Sequence, residues 1–264
     1  MDPLDPAVPG VLRDGRIEVT GRLVDASNAT LYGAVTLDGV DLRCVYKPIR
    51  GERPLWDFPD GTLAGREVAS FLVSEAADWH VVPPTVLREG PFGPGMVQVW
   101  VDTDEDRELV TVCAPADLPA GWLGVLRARD RLGEPAVLAH ADLPELRAMA
   151  VFDVVANNAD RKGGHVLAGA DGRIYAVDHG LTLHTENKLR TVLWGWTGQR
   201  LPDEVLAGLR KLRAALDDGL CETVGEHVTR REVAALSSRV DALLRKRRYP
   251  EPSRHGPAIP WPAF

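Results

Sequence analysis

Asp38-Gly39 divides two runs of alternating apolar and polar residues, roughly Leu31 to Leu37 and Val40 to Tyr46. This dipeptide readily supplies the positive-φ residues of a two-residue hairpin turn, and so predicts two adjacent antiparallel strands. An earlier alternating run with Ile17, Val19 and Leu23 precedes the turn-prone residues Asp25 to Asn28, adding a third strand to the meander. The last of the three strands ends in Lys47-Pro48. An irregular connection with three prolines runs from Pro48 to Pro59. A helix is expected from about Thr62, a plausible N-cap, to Ala77, with Val68, Phe71 and Leu72 on its apolar stripe. Glu67 and Glu75 lie on or beside that stripe, where a carboxylate requires a cationic partner to offset its desolvation. Two short strands follow, near Thr85 to Leu87 and Met96 to Val101.

The acidic stretch Asp102 to Asp106 interrupts this pattern, and the character beyond it reads as helical. One helix is expected from Leu143 to Ala156, then a polar loop from Asn157 to Gly164, and a small hairpin turning through Ala170-Asp171-Gly172. Two amphipathic helices close the chain. Val205, Leu209, Leu212 and Leu216 share a face of the first, and Thr229 to Glu232 form a capping box opening the second. The expected fold class is α+β, with a leader at 1–14, an antiparallel-sheet lobe at 15–101 and a mainly helical lobe at 102–249. The tail at 250–264 carries five prolines and is expected to be extended or mobile.

Composition narrows the function classes. The formal charge of −7 argues against a nucleic-acid partner, which requires a broad basic footprint. The basic run Arg245 to Arg248 reads as cations complementing a helix C-terminus, or as a patch for phosphate or lipid headgroups. No stretch approaches the 18 apolar residues of a membrane span, so stable membrane insertion is not expected. The start of the chain is acidic and Pro-rich rather than signal-like, and the three cysteines are odd in number and far apart. A cytoplasmic location is therefore expected.

Chemistry concentrates in Asn157 to His165 and Ile174 to Gly180. Asp160 lies in a polar loop after a buried helix, and Asp178 ends an apolar strand just before His179-Gly180. The short hairpin between them can bring both carboxylates to one edge. Two such carboxylates suit phosphoryl transfer, one orienting or deprotonating an attacking hydroxyl and the other holding a metal ion on nucleotide phosphates. Asp153, on the preceding helix, is placed to brace the loop. Trp194 and Trp196 either pack on the core or line a substrate site. His80, His140, His179 and His184 fit no metal spacing and read as structural or exposed.

In this order of elements the chain resembles the phosphatidylinositol 3/4-kinase-like group, with HipA-type protein kinases as relatives. It also resembles a little-characterised actinobacterial family distantly similar to lipid kinases. The resemblance covers roughly 15–185 and rests on Val45-Tyr46-Lys47-Pro48, Asp160-Arg161-Lys162 and Val177-Asp178-His179-Gly180. It implies a two-lobed protein-kinase-like fold, ATP as cofactor with Mg2+ or Mn2+, and a protein or inositol-like small molecule as acceptor. By that likeness Lys47 contacts phosphates and pairs with Glu67, or with Glu75. Asp25 to Thr30, with Ser27 and Asn28, covers the phosphates, and the strand with Gln98 and Trp100 meets adenine. Asp160 is then catalytic and Asp178 holds metal. His165 stands where these families place a metal-binding Asn, and either ligates the metal or starts the next strand. Lys162 replaces their usual His, and either steadies the transferred phosphoryl group or faces solvent. A nucleotide-binding pseudokinase scaffold and an AMP transferase are the alternative activities.

Overall fold

The computed structural model describes residues 1–23, 29–254 and 256–264. The chain opens with helix α1 (Val8–Asp14) and enters strands β1 (Arg16–Arg22), β2 (Leu31–Leu37) and β3 (Val40–Pro48). Asp38 and Gly39 both have positive φ, 49° and 82°, and Leu37 pairs directly with Val40. The hairpin thus has the two-residue loop that its dipeptide favours. Strands β4 (Thr85–Gly90) and β5 (Gly93–Val99) complete an all-antiparallel sheet ordered β1-β2-β3-β5-β4.

One face of this sheet buries Val35, Leu42, Cys44, Tyr46, Val97 and Val99 against Val8, Val11 and Leu12 of α1. The leader expected at 1–14 is therefore part of the fold over its second half. Val8, Val11 and Leu12 follow helical spacing and form an apolar stripe that the neighbouring Pro9-Gly10 disguises in the sequence. The Arg88 guanidinium also donates to the Leu12 and Gly15 carbonyls at 2.8 and 2.6 Å, fixing the end of α1. On the opposite face, Met96 packs with Ala64 and Val68 of α2 (Leu63–Ala76). Thr62 caps that helix by accepting from Gly65 N at 2.9 Å.

Residues beyond 106 do not turn helical at once. Strands β6 (Val110–Cys113), β7 (Trp122–Arg129) and β8 (Pro135–Ala141) form a second antiparallel sheet, ordered β6-β8-β7. Arg127, Arg129 and Pro135 mask its alternation in the sequence. Its hairpin is set by Asp130, whose Oδ1 accepts from Leu132 N and Glu134 N, the local bonding that favours Asp in turns. Helix α3 (Pro144–Ala156) then runs through the main core and stops at Asn157, which takes left-handed φ. Strands β9 (Val166–Ala168) and β10 (Ile174–Ala176) form the small hairpin. Helices α4 (Asp203–Ala215), α5 (Cys221–Gly225) and α6 (Arg230–Lys246) follow.

The expected faces of the last helices are buried: Val205, Leu209, Leu212 and Leu216 all enter the core. Thr229 and Glu232 form the capping box of α6. Trp196 is fully buried and donates to Asp142, while Trp194 donates to the Ala258 carbonyl. The architecture is the α+β class read from the sequence. The described residues of the tail at 250–264 form neither helix nor strand, and the tail is docked rather than mobile at its end, with Pro260 buried and Ile259 and Ala263 packed on the core. Among the described residues, no helix is long and apolar enough to cross a membrane.

Candidate active site

Strand alternation sends Lys47 to the face opposite Cys44 and Tyr46, toward α2. There its Nζ lies 2.6 Å from Glu67 Oε1 and 3.0 Å from Asp178 Oδ1. Glu67 is only 1% exposed, a position where an unpaired carboxylate is strongly disfavoured. Lys47 satisfies one of its oxygens, and the His179 backbone N–H donates to the other at 2.8 Å. Burial raises the Glu67 carboxyl above its ordinary range, with Lys47 opposing the shift. Burial also disfavours the Lys47 charge, but Asp178 and Glu67 outweigh it, so the ammonium is held more firmly than usual. Glu75, the other candidate partner, instead lies 2.8 Å from His80 Nδ1.

Asp178 follows β10 with φ 62°, a left-handed conformation that Asp tolerates better than most residues. The neighbouring Lys47 ammonium holds its carboxyl well below the usual carboxylate range. Lys47, Glu67, Asp160 and Asp178 line one cavity of about 310 Å³, together with Leu63 and Gly180. A larger cavity, about 640 Å³, lies between Trp79, Pro144 and Gly208 and is lined by none of Lys47, Glu67, Asp160, Lys162, His165 and Asp178.

The loop carrying Asp160 is braced from beneath. Asp160 N donates to Asn158 Oδ1 at 2.9 Å, and Asn158 Nδ2 donates to the buried Asp153 at 3.0 Å. Asp153 also accepts from Arg161 Nε and Thr191 Oγ1, so this carboxylate ties the loop to the segment after Asp178. Lys162 Nζ lies 3.1 Å from Asp160 Oδ2. Burial raises the Asp160 carboxyl, and Lys162 opposes that shift.

His165 Nδ1 is 3.0 Å from the Asp160 carbonyl, and its Nε2 is 3.5 Å from Asp178 Oδ2. Burial pushes the imidazole down to about 4, so it is neutral near pH 7. With the proton on Nδ1, bonded to that carbonyl, Nε2 presents its lone pair toward Asp178, the usual arrangement of a ligating His. Among the described residues, no group of three or more His, Cys, Asp or Glu side chains is disposed to hold a metal ion. Two protein donors still suit Mg2+ or Mn2+, whose remaining positions are commonly filled by phosphate oxygens and water.

Other predicted residues lie apart from this cluster. Gln98 shares the sheet face of Lys47 but is buried, and its amide donates to Thr85 Oγ1 at 2.8 Å. Trp100 packs edge-on against Tyr32, and its backbone N–H donates to the Arg43 carbonyl. Neither lines the 310 Å³ cavity. Ser27 and Asn28 lie outside the described residues.

His179 was set aside in the sequence with the scattered histidines, yet it sits at the centre of the network. Its backbone serves Glu67, and its Nε2 lies 2.6 Å from Arg161 NH2. Burial and the adjacent guanidinium keep the ring neutral. Its place directly after Asp178 was the available signal. Arg66 left no such signal. Its fully buried guanidinium reaches Glu232 and the Thr182 carbonyl, each at 2.6 Å, and locks α2 to α6 and to the segment beyond Asp178.

No family model matches the chain. It is 52% identical to protein Rv2133c of Mycobacterium tuberculosis, over 96% of this chain and 94% of that protein. The chain belongs to the Rv2133c family. A second relative, a UPF0282 protein of Pyrobaculum arsenaticum, is 34% identical over 149 residues, 53% of this chain and 46% of that protein. Among solved structures, the Golgi casein kinase is similar with a TM-score of 0.49 and 13% identity, covering 90% of this chain and 73% of that one. The Helicobacter pylori proinflammatory kinase CtkA gives 0.48 and 9%, covering 90% and 94%. Likenesses this distant assign no role to any residue of the Rv2133c family member described here.

Proposed function

We propose that the chain is an ATP-dependent phosphotransferase of protein-kinase-like design, acting on a hydroxyl of a protein or an inositol-like small molecule. The observation that carries this reading is the single ammonium of Lys47 between Glu67 and Asp178, in a cavity that Asp160 also lines. Lys47, held by Glu67, neutralises nucleotide phosphates. Asp160 accepts or orients the acceptor's hydroxyl proton, and its burial-raised carboxyl brings its basicity nearer to neutral pH. Lys162 offers positive charge beside Asp160, where the transferred group would pass. Asp178 and His165 are the protein's metal donors, and a bound divalent ion would neutralise charge on the phosphates. The two lobes of this reading are 15–101 and 102–249, with the cavity between them.

The test is incubation with ATP labelled separately at the α and γ positions, in lysate, with Mg2+ and Mn2+ in parallel. Transfer of γ-label that is lost in Lys47→Ala is the expected result. Transfer of α-label would replace phosphoryl transfer by AMP transfer, and transfer of neither would leave a nucleotide-binding scaffold.

A further inference from the structure

The tail, expected to be extended or mobile, reaches both loops of the candidate site. The Ala258 carbonyl accepts from Thr191 N at 3.0 Å and from Trp194 Nε1 at 2.8 Å. Five residues on, the Ala263 carbonyl accepts from Gly163 N at 2.7 Å. Gly163 lies three residues after Asp160, and Thr191 belongs to the segment that follows Asp178. These two stretches are already joined, since Arg161 N donates to the Arg190 carbonyl and Val192 N to the Arg161 carbonyl. The tail therefore bonds to both partners of an existing junction. Its ring at Phe264 sits so close to Gly163 that a Cβ there would meet Phe264 Cε1 at 2.3 Å. A side chain at 163 would push the ring from this position, and the ring covers backbone that would otherwise face water.

We propose that residues 258–264 form an intramolecular strap that positions the Asp160 loop for transfer. Without it Gly163 N–H loses its acceptor, and a loop containing Gly163-Gly164 has little intrinsic stiffness. Asp160 then samples positions away from the acceptor hydroxyl, while Lys47, Glu67 and Asp178, on other elements, keep their geometry. The strap thus acts on turnover rather than on nucleotide binding. Its catalytic consequence rests on the phosphotransferase reading; its effect on loop order does not.

Three variants of the full chain test this: removal of 256–264, Phe264→Ala and Gly163→Ala. Amide exchange of 158–165 and 190–194 is measured for each, together with kcat and ATP KM for γ-label transfer. Expected are faster exchange at both stretches and kcat lower by up to about 10²-fold on misplacement of the loop, with ATP KM within about twofold. Gly163→Ala combined with Phe264→Ala should be no worse than the more damaging single change, because both break one contact. Unchanged exchange in Phe264→Ala and in the truncated chain overturns the strap, whether or not transfer is detected. Unchanged turnover with faster exchange also overturns it as a positioning device. A rise in turnover would show that the segment obstructs the acceptor instead. Absence of transfer in the intact chain, with exchange altered as expected, counts against the phosphotransferase reading and leaves the ordering role standing.

Discussion

Glu67→Ala is the most informative single perturbation of the site. It removes the buried partner of Lys47, 2.6 Å away, and the acceptor of the His179 N–H, 2.8 Å away. A buried N–H left without an acceptor costs about 1–3 kcal/mol, and breaking a buried ion pair by deleting one partner costs about 3–5 kcal/mol. These overlap, and Lys47 retains Asp178 at 3.0 Å, so the expected loss is near the lower end of the pair figure, about 3 kcal/mol. For a chain of this size that lowers Tm by roughly 6–12 °C. Glu67→Gln keeps an oxygen for His179 and removes only the charge, and should cost about 1–2 kcal/mol. Lys47, no longer shared, should close on Asp178 and lower metal–ATP affinity about tenfold, worth about 1.4 kcal/mol. Differential scanning fluorimetry, with and without metal–ATP, reads both effects. Equal Tm for Glu67→Ala and Glu67→Gln, with nucleotide stabilisation intact in both, would refute the assignment of Glu67 as the residue that positions Lys47.

Asp160→Asn should leave metal–ATP binding largely intact while lowering transfer about 10²–10⁴-fold, the usual contribution of a positioned base. Asp178→Asn should impair binding and transfer together, and calorimetric titration alongside γ-label transfer separates the two. His165→Asn should shift metal preference from Mn2+ toward Mg2+, because imidazole favours transition metals; identical thermal-shift profiles with the two ions would remove His165 from the metal site. His80 offers a pH test outside the site. Partial burial opposes its charge, but hydrogen bonds with Glu75 and Asp78 raise its pKa above the ordinary 6.5. Its stabilising contribution is therefore full below about pH 6.5 and declines as pH rises through the raised value. The Tm difference between the natural chain and His80→Gln should shrink over that interval, and a constant difference would refute the linkage.

The sequence by itself determined the elements whose signals are local. Asp38-Gly39 specified a hairpin because that turn needs positive φ at two positions, and Thr62 and Thr229 marked helix starts because their hydroxyls can serve free backbone N–H groups. Asp160 and Asp178 were legible because one lies in a polar loop after a buried helix and the other closes an apolar strand, and Lys47 through the family resemblance of Val45-Tyr46-Lys47-Pro48. Strands β6 to β8 were missed because charges and a proline within them obscure the period of two. What only tertiary structure decided are the pairings between distant segments. Glu67 rather than Glu75 meets Lys47 because packing of Ala64 and Val68 on Met96 sets the rotation of α2. Arg66 meets Glu232 across 166 positions, and Phe264 meets Gly163 across about a hundred. Long-range contacts of this kind depend on which surfaces bury one another, and no short stretch of chain encodes that.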